Sequence, residues 1–473
     1  MTAELNLGRV IAGIAAKVPD RVAVIHRDVY LTYGDLVDRA SRLAQYLADR
    51  GYGCVAERST LKGHEAGQHL MAQFLYNGPA YVEGLVGGFL ARVAPFNVNY
   101  RYLAEELTYL FNDSSPAIIQ YHASFAPALS EVLPNLSTTP LLLQVEDDSG
   151  NELLPGAVDY DAALNSVHVD AERRVEQLAA LTPDDLYIIY TGGTTGMPKG
   201  VLWRQADVAV STMGLLNRRT QSEWASPDEL FDNLRQSPTR VVPCAPMMHG
   251  AAQWAALGFL GEGNTIVFPD HVQSFAPDDV LAAIERQRVT AITIVGDAFG
   301  WPLVKALERG RYDVSSLRVI VSGGASLHAD CKSRLIALVP GLRVIETMGS
   351  SESGILGRRH SVDPASAGDV SFEPDASMAV VSEDFSQFLE PGHDGNGWLA
   401  RRGRIPLGYL GDADKTARTF PVIDGQRVSI PGDRARLLDN GQVQLLGRDS
   451  LTINTGGEKV FVEEVEAVLK DHP

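Results

Sequence analysis

The stretch Tyr190-Thr-Gly-Gly-Thr-Thr-Gly-Met-Pro-Lys-Gly-Val201 gathers groups that bind phosphate. Gly192, Gly193 and Gly196 let backbone N–H groups approach an anion with no Cβ in the way. Thr191, Thr194 and Thr195 add hydroxyl donors, and Lys199 adds a mobile positive charge. The common nucleotide loop runs from Gly-Lys-Ser/Thr into a helix. Here Pro198 precedes the lysine and Gly200 follows it, so no helix is expected to start at Lys199. A solvated surface turn is the competing reading, and twelve ordered positions of this kind weigh against it.

Five other segments carry candidate chemistry. Met348-Gly-Ser-Ser-Glu352 follows the strand-like run Leu342-Arg-Val-Ile-Glu346, and a carboxylate at a strand's C-terminal end can hold Mg²⁺ through oxygen. Ser322-Gly-Gly-Ala-Ser326 follows another apolar run. Ala245-Pro-Met-Met-His-Gly250 offers His249, although a lone histidine is often a packed core residue. Asp433 in Gly432-Asp-Arg-Ala-Arg and Arg448 in Leu446-Gly-Arg-Asp449 form a carboxylate and guanidinium suited to a diol, or to a plain surface ion pair.

Together these segments resemble the adenylate-forming superfamily of acyl-CoA synthetases, peptide-synthetase adenylation domains and luciferases. The correspondence runs from about residue 20 to the end of the chain. The resemblance implies a triphosphate grip by Thr191, Gly192, Gly193, Thr194, Thr195, Gly196 and Lys199. It implies Mg²⁺ on Glu352, backbone contacts from Gly349, Ser350 and Ser351, and an adenine-side loop at Gly323, Gly324 and Ala325. Asp433 and Arg448 would take the ribose, and His249 would line the acyl pocket to gate or orient the acid. Thr194, Lys199, His249 and Glu352 are thus the expected catalytic set. Met348 stands where the family usually has an aromatic. Ser450 stands where it has a charged hinge residue, with Asp449 adjacent. Asn454-Thr-Gly-Gly-Glu-Lys-Val460 resembles the loop that opens the small domain. The family's C-terminal lysine has no counterpart here, which implies impaired turnover by these 473 residues alone.

Pro95-Phe-Asn-Val-Asn-Tyr-Arg-Tyr102, Pro198-Lys-Gly-Val-Leu-Trp-Arg204 and Ile453-Asn-Thr-Gly-Gly-Glu-Lys459 look most similar to actinobacterial long-chain fatty acid and steroid side-chain CoA ligases. The resemblance implies ATP, Mg²⁺ and coenzyme A acting on a hydrophobic carboxylic acid. Small residues at Ala251, Ala252, Ala255, Gly258, Gly296 and Gly300 suit a roomy apolar pocket. An amino-acid-activating module would need a pocket acid, for which Asp297 is the nominee. A non-catalytic nucleotide- or acyl-binding protein is the third reading.

The elements that must position these groups alternate in character. Val22–Ile25, Ala117–Gln120 and Leu141–Val145 are strand-like, and residues 36–47 have helical apolar spacing. A second α/β layer follows. Thr265–Phe268, Ala291–Val295 and Leu317–Val321 are expected strands, with helices over 278–287 and 329–339. After about residue 355, Gly, Pro and Asp punctuate short runs such as Met378–Val381, Gly397–Ala400 and Val443–Leu446, which suggests a β-rich subdomain. The expected class is α/β. A large N-terminal domain (1–447) holds two α/β sheets and a distorted β-barrel, and the truncated start of a small α+β C-terminal domain begins at 448.

A net charge of −18 argues against a nucleic-acid partner. Cys54, Cys244 and Cys331 lack metal spacing and fit a reducing compartment. The N-terminus has no basic-then-apolar leader, and no run reaches the roughly 18 apolar residues of a membrane span. A cytoplasmic enzyme is expected, with peripheral membrane contact and homodimerisation left open.

Overall fold

The computed structural model describes residues 3–193, 196–368, 372–393, 395–448, 453–454 and 459–460. Thr194, Thr195, Asp449, Ser450 and most of the 454–460 loop lie outside the described residues.

Two parallel sheets form the scaffold. The smaller has the order Ala94–Asn97, Leu70–Phe74, Ile118–His122, Leu141–Val145 and Val158–Asp159, all parallel. The larger has nine strands. Its parallel centre is Val22–His26, Thr265–Phe268, Arg240–Pro243, Ala291–Ile294, Val319–Gly323 and Arg343–Ser350. Both its edges are antiparallel, with Val29–Thr32 on one side and Gly354–Ser361 then Glu373–Pro374 on the other. Strands Thr265–Phe268 and Ala291–Ile294, in the middle of this sheet, are buried along their whole length, as strands covered on both faces must be.

Helix Tyr33–Ala48 packs against Pro79–Leu90 and buries Leu36, Val37, Ala40, Leu43, Ala44 and Leu47, the stripe the sequence spacing predicts. Its start is fixed by Thr32, whose side chain caps Asp35 N–H while the Asp35 carboxylate accepts from Thr32. Helices Pro277–Gln287 and Ala329–Leu338 likewise fall within a residue of expectation.

Two expectations about organisation are corrected. The strand at Val22 belongs to the larger sheet, paired with Thr265–Phe268, and not to the layer that follows it in sequence. The compositional change near residue 355 falls inside a hairpin of the larger sheet, between Arg343–Ser350 and Gly354–Ser361. The β-rich region begins at Met378–Val381, and Gly397–Arg402, Val422–Ile423, Gln426–Ser429, Asp433–Leu437 and Val443–Arg448 complete it. These strands make an open antiparallel sheet; no closed barrel forms among the described residues. A separate three-stranded sheet pairs Leu186–Gly193, Gly196–Arg204 and Gly408–Tyr409.

Cys54, Cys244 and Cys331 are free thiols. Among the described residues no helix is long and apolar enough to cross a membrane.

Several histidines are held neutral. His122 Nδ1 accepts the Tyr76 backbone N–H at 2.9 Å, and burial lowers its pKa to about 4 despite nearby Asp147. Burial also lowers His26. The unfolded chain takes up protons near pH 6.5 that the folded chain refuses, so this stabilisation is complete above 6.5 and is lost as pH falls toward 4. Urea midpoints are therefore expected to drop between pH 6.5 and 4. His122→Gln, which keeps an acceptor but does not titrate, should flatten that dependence.

Candidate functional site

The phosphate-type segment is not a free loop after Tyr190. The strand continues to Gly193 and returns as Gly196–Arg204, so Thr191 faces Lys199 across the hairpin. Gly200 lies opposite Tyr190, and a Cβ there would meet the tyrosine ring at 2.8 Å, so only glycine fits. Tyr190 Oη donates to Asp113 Oδ2 at 2.8 Å, and burial pushes the Asp113 carboxyl above its ordinary range.

Asn97, buried at the end of the smaller sheet's edge strand, grips the same residue. Its Oδ1 accepts from Tyr190 N at 2.8 Å, and its Nδ2 donates to Tyr190 O at 2.8 Å and Met248 O at 2.6 Å. The segment 245–250 is further held by Asn77, which donates to Ala245 O and accepts from Met247 N. His249 immediately precedes helix Gly250–Leu260, makes no side-chain cap to it, and opens onto the cavity described below. Enclosure by the cavity walls, then Arg101, lowers its pKa, so it is neutral near pH 7 and suited to orienting rather than protonating.

Glu352 sits in the tight connection between Arg343–Ser350 and Gly354–Ser361. Gly349 allows the strands to cross closely, since a Cβ would lie 1.9 Å from Gly354 O. The connection is pinned from three sides. Trp203 Nε1 donates to Ser351 O at 3.0 Å, Ser429 Oγ to Glu352 O at 2.5 Å, and Arg401 Nη1 to Ser353 O at 3.0 Å. Tyr409 Oη donates to Glu352 Oε1 at 2.8 Å, and burial followed by that carboxylate raises the phenol's pKa.

One cavity of about 1480 Å³ joins these pieces. Its polar part is lined by Thr191, Gly192, Lys199, Gly323, Gly324, Gly349, Ser350, Ser351, Glu352 and Arg448, all singled out from sequence. Arg448 and Asp433 are cross-strand neighbours joined at 3.1 Å. Burial raises the Asp433 pKa, and Arg448 opposes that rise. Asp433 itself is not on the wall. Neither is Ala325, which packs against Gly296.

The apolar part is lined by Ala251, Ala252, Ala255, Gly258, Trp254 and Phe299, among others. Gly296 and Gly300, expected there, face Ser326 and Cys331 instead, where a Cβ would meet atoms at 2.4 and 2.6 Å. Asp297 is also off the wall and accepts from His328 N at 2.9 Å and pairs with His328 Nδ1 at 2.6 Å. Tyr409 and Lys415 were not identified from sequence. Their segment 408–420 carries no anion-binding pattern to mark it.

No three His, Cys, Asp or Glu side chains cluster as a protein-only metal site among the described residues. Mg²⁺ needs no such cluster, because one carboxylate, water and substrate phosphates commonly complete its shell. Glu352, oriented by Tyr409 on the cavity wall, fits that requirement.

The chain belongs to the AMP-binding enzyme family, whose model matches residues 12–410. It is 48% identical over 473 residues to "Medium-chain acyl-CoA ligase Mig" of Mycobacterium avium, covering 100% of this chain and 85% of that protein. It is 36% identical to "3-oxocholest-4-en-26-oate--CoA ligase" of Rhodococcus rhodochrous, covering 99% of this chain and 82% of that one. Among solved structures, the fold matches an anthranilate CoA ligase bound to anthranoyl-AMP with a TM-score of 0.77. That match has 18% identity and covers 99% of this chain and 83% of the other.

Tyr409→Phe removes one donor to Glu352 and little volume. Affinity for Mg²⁺-ATP should fall about tenfold, by the general effect of outer hydrogen bonds on metal ligands. Titration calorimetry reads the loss, and an unchanged melting temperature would separate it from unfolding.

Proposed function

We propose that this chain is an ATP-dependent acyl-CoA ligase that activates a hydrophobic carboxylic acid as an acyl-adenylate and then transfers the acyl group to coenzyme A. One observation supports the reading: residues whose chemistry suits phosphate and a set of apolar residues line the same cavity, with His249 on its wall. The names of the similar ligases support the same reaction and suggest medium- or long-chain fatty acids or a steroid side-chain acid.

In this reading the backbone N–H groups of Gly192, Gly193 and Gly196, the hydroxyls of Thr191, Thr194 and Thr195, and Lys199 hold the triphosphate. Gly323, Gly324, Ala325, Gly349, Ser350 and Ser351 border the adenosine. Asp433 accepts from the ribose diol while Arg448 fixes the carboxylate. Glu352 would hold Mg²⁺, which supplies charge neutralisation at the phosphates. His249 orients the acid so that its carboxylate reaches the α-phosphorus, and pyrophosphate leaves. Catalysis here is positioning plus fixed electrostatics. The mixed anhydride is then a far better acyl donor to the coenzyme A thiol than the free acid. The adenylation domain would extend to residue 447, with the hinge from 448 at the end of Val443–Arg448.

An amino-acid-activating site is disfavoured because Asp297, its nominated acid, is already bonded to His328 away from the cavity.

Pyrophosphate release with ATP and a panel of fatty, steroid and amino acids tests the proposal. Fatty or steroid acids should stimulate release, and Glu352→Gln should lower kcat/KM by about 100-fold, the usual order for losing one electrostatic contact to developing charge. Stimulation by amino acids alone would transfer the chain to the peptide-synthetase type. ATP binding with no release under any acid, also in a longer chain carrying a following C-terminal segment, would favour a non-catalytic binder.

A further inference from the structure

The cavity wall carries a second lysine besides Lys199. Lys415 belongs to helix Ala413–Thr419, which follows the short strand Gly408–Tyr409 paired with Gly196–Arg204. Its Nζ lies 4.1 Å from the centre of the Tyr409 ring, whose hydroxyl holds Glu352. Lys199, Glu352 and Lys415 therefore line one stretch of wall, contributed by three elements.

The charges there are poorly matched. Asp412 and Glu352 are the acids that act on Lys415, and Asp412 is shared with Lys199. Asp412 accepts from the Lys415 backbone N–H at 2.9 Å and meets Lys199 Nζ at 3.4 Å, a long contact for an ion pair. No carboxylate pairs with the Lys415 ammonium among the described residues. Burial, then repulsion from Lys199, lowers the Lys415 pKa to about 8, with Glu352 and Asp412 acting in the opposite sense. Two ammonium groups on a half-enclosed wall repel each other in the free protein. The arrangement becomes favourable when a polyanion lies between them.

We propose that Lys415 is a phosphate-binding residue that acts with Lys199 on the terminal phosphates of ATP and on the departing pyrophosphate. The proposal rests on the ligase reading above and adds a residue to it. As the substrate carboxylate oxygen bonds to the α-phosphorus, the bond from that phosphorus to the bridging oxygen breaks. The electron pair goes to pyrophosphate, and the two ammonium groups, keeping their protons, neutralise the charge that gathers there. The terminal phosphates are favoured over the adenosine end because Lys415 neighbours Lys199 and Glu352. On the adenine side, Gly323 ends the separate strand Val319–Gly323 of the larger sheet, and Gly324 follows it.

Binding of ATP, Mg²⁺-pyrophosphate and AMP is measured by calorimetry for the wild type, Lys415→Met and Lys415→Arg. Lys415→Met keeps the apolar stem over Tyr409, and thermal melting checks that each variant folds. Lys415→Met should weaken ATP and pyrophosphate by roughly 10- to 100-fold, the range for one charge-assisted hydrogen bond. AMP affinity should hold within about twofold, and Lys415→Arg should restore most of the loss. Unaltered pyrophosphate binding by Lys415→Met, or an equal loss for AMP, overturns the assignment while leaving the ligase reading intact. A wild-type protein that binds neither ATP nor AMP would overturn both.

Discussion

A single buried amide, Asn97, ties together the three parts of the molecule that must cooperate. It ends a strand of the smaller sheet, and its side chain spans the backbone of Tyr190 and the carbonyl of Met248. Tyr190 leads into the glycine- and threonine-rich hairpin, and Met248 precedes His249, which lines the cavity. The three bonds are buried, where leaving any backbone partner unsatisfied costs about 1–3 kcal/mol. The hairpin and the segment at 245–250 therefore cannot drift independently, and the two parts of the cavity they line keep a fixed relation.

Electrostatics around the cavity oppose those of the whole chain. The protein carries a net −18, yet Arg101, Lys199, Lys415, Arg418 and Arg448 line the wall that Glu352 shares. Bulk charge speaks to solubility and to partners such as nucleic acid. It says nothing of a pocket a few side chains wide. Glu352 keeps its orientation among these cations through Tyr409, while its backbone is fixed by Ser429 from the β-rich sheet. That contact makes the β-rich sheet part of the site's support.

Much of the site was legible because its chemistry is local. Glycine-threonine spacing after an apolar strand marked the hairpin, and a glutamate after the strand at 343–350 marked the metal candidate. Both reach the cavity, as do His249 and Arg448. Small residues misled where their smallness serves packing. Gly296 and Gly300 are small to admit Ser326 and Cys331, a requirement set by neighbours distant in sequence. Asp297 looked available until its partner His328, 31 residues away, was in place. Tyr409 and Lys415 lie in a segment with no anion-binding pattern of its own, so only the pairing of Gly408–Tyr409 with Gly196–Arg204 reveals them.

The sequence alone determined the α/β class, the amphipathic helix beginning at Tyr33, most strands, and several segments that reach the cavity. Each depends on periodicity or on backbone freedom within a dozen residues. Tertiary structure alone decided that the strand at Val22 joins Thr265–Phe268, that the glycine at 354 turns a hairpin of the larger sheet, and that two lysines 216 positions apart share one wall. Those outcomes turn on which surfaces bury against each other across the chain. Burial is a sum over distant partners, which no local pattern encodes.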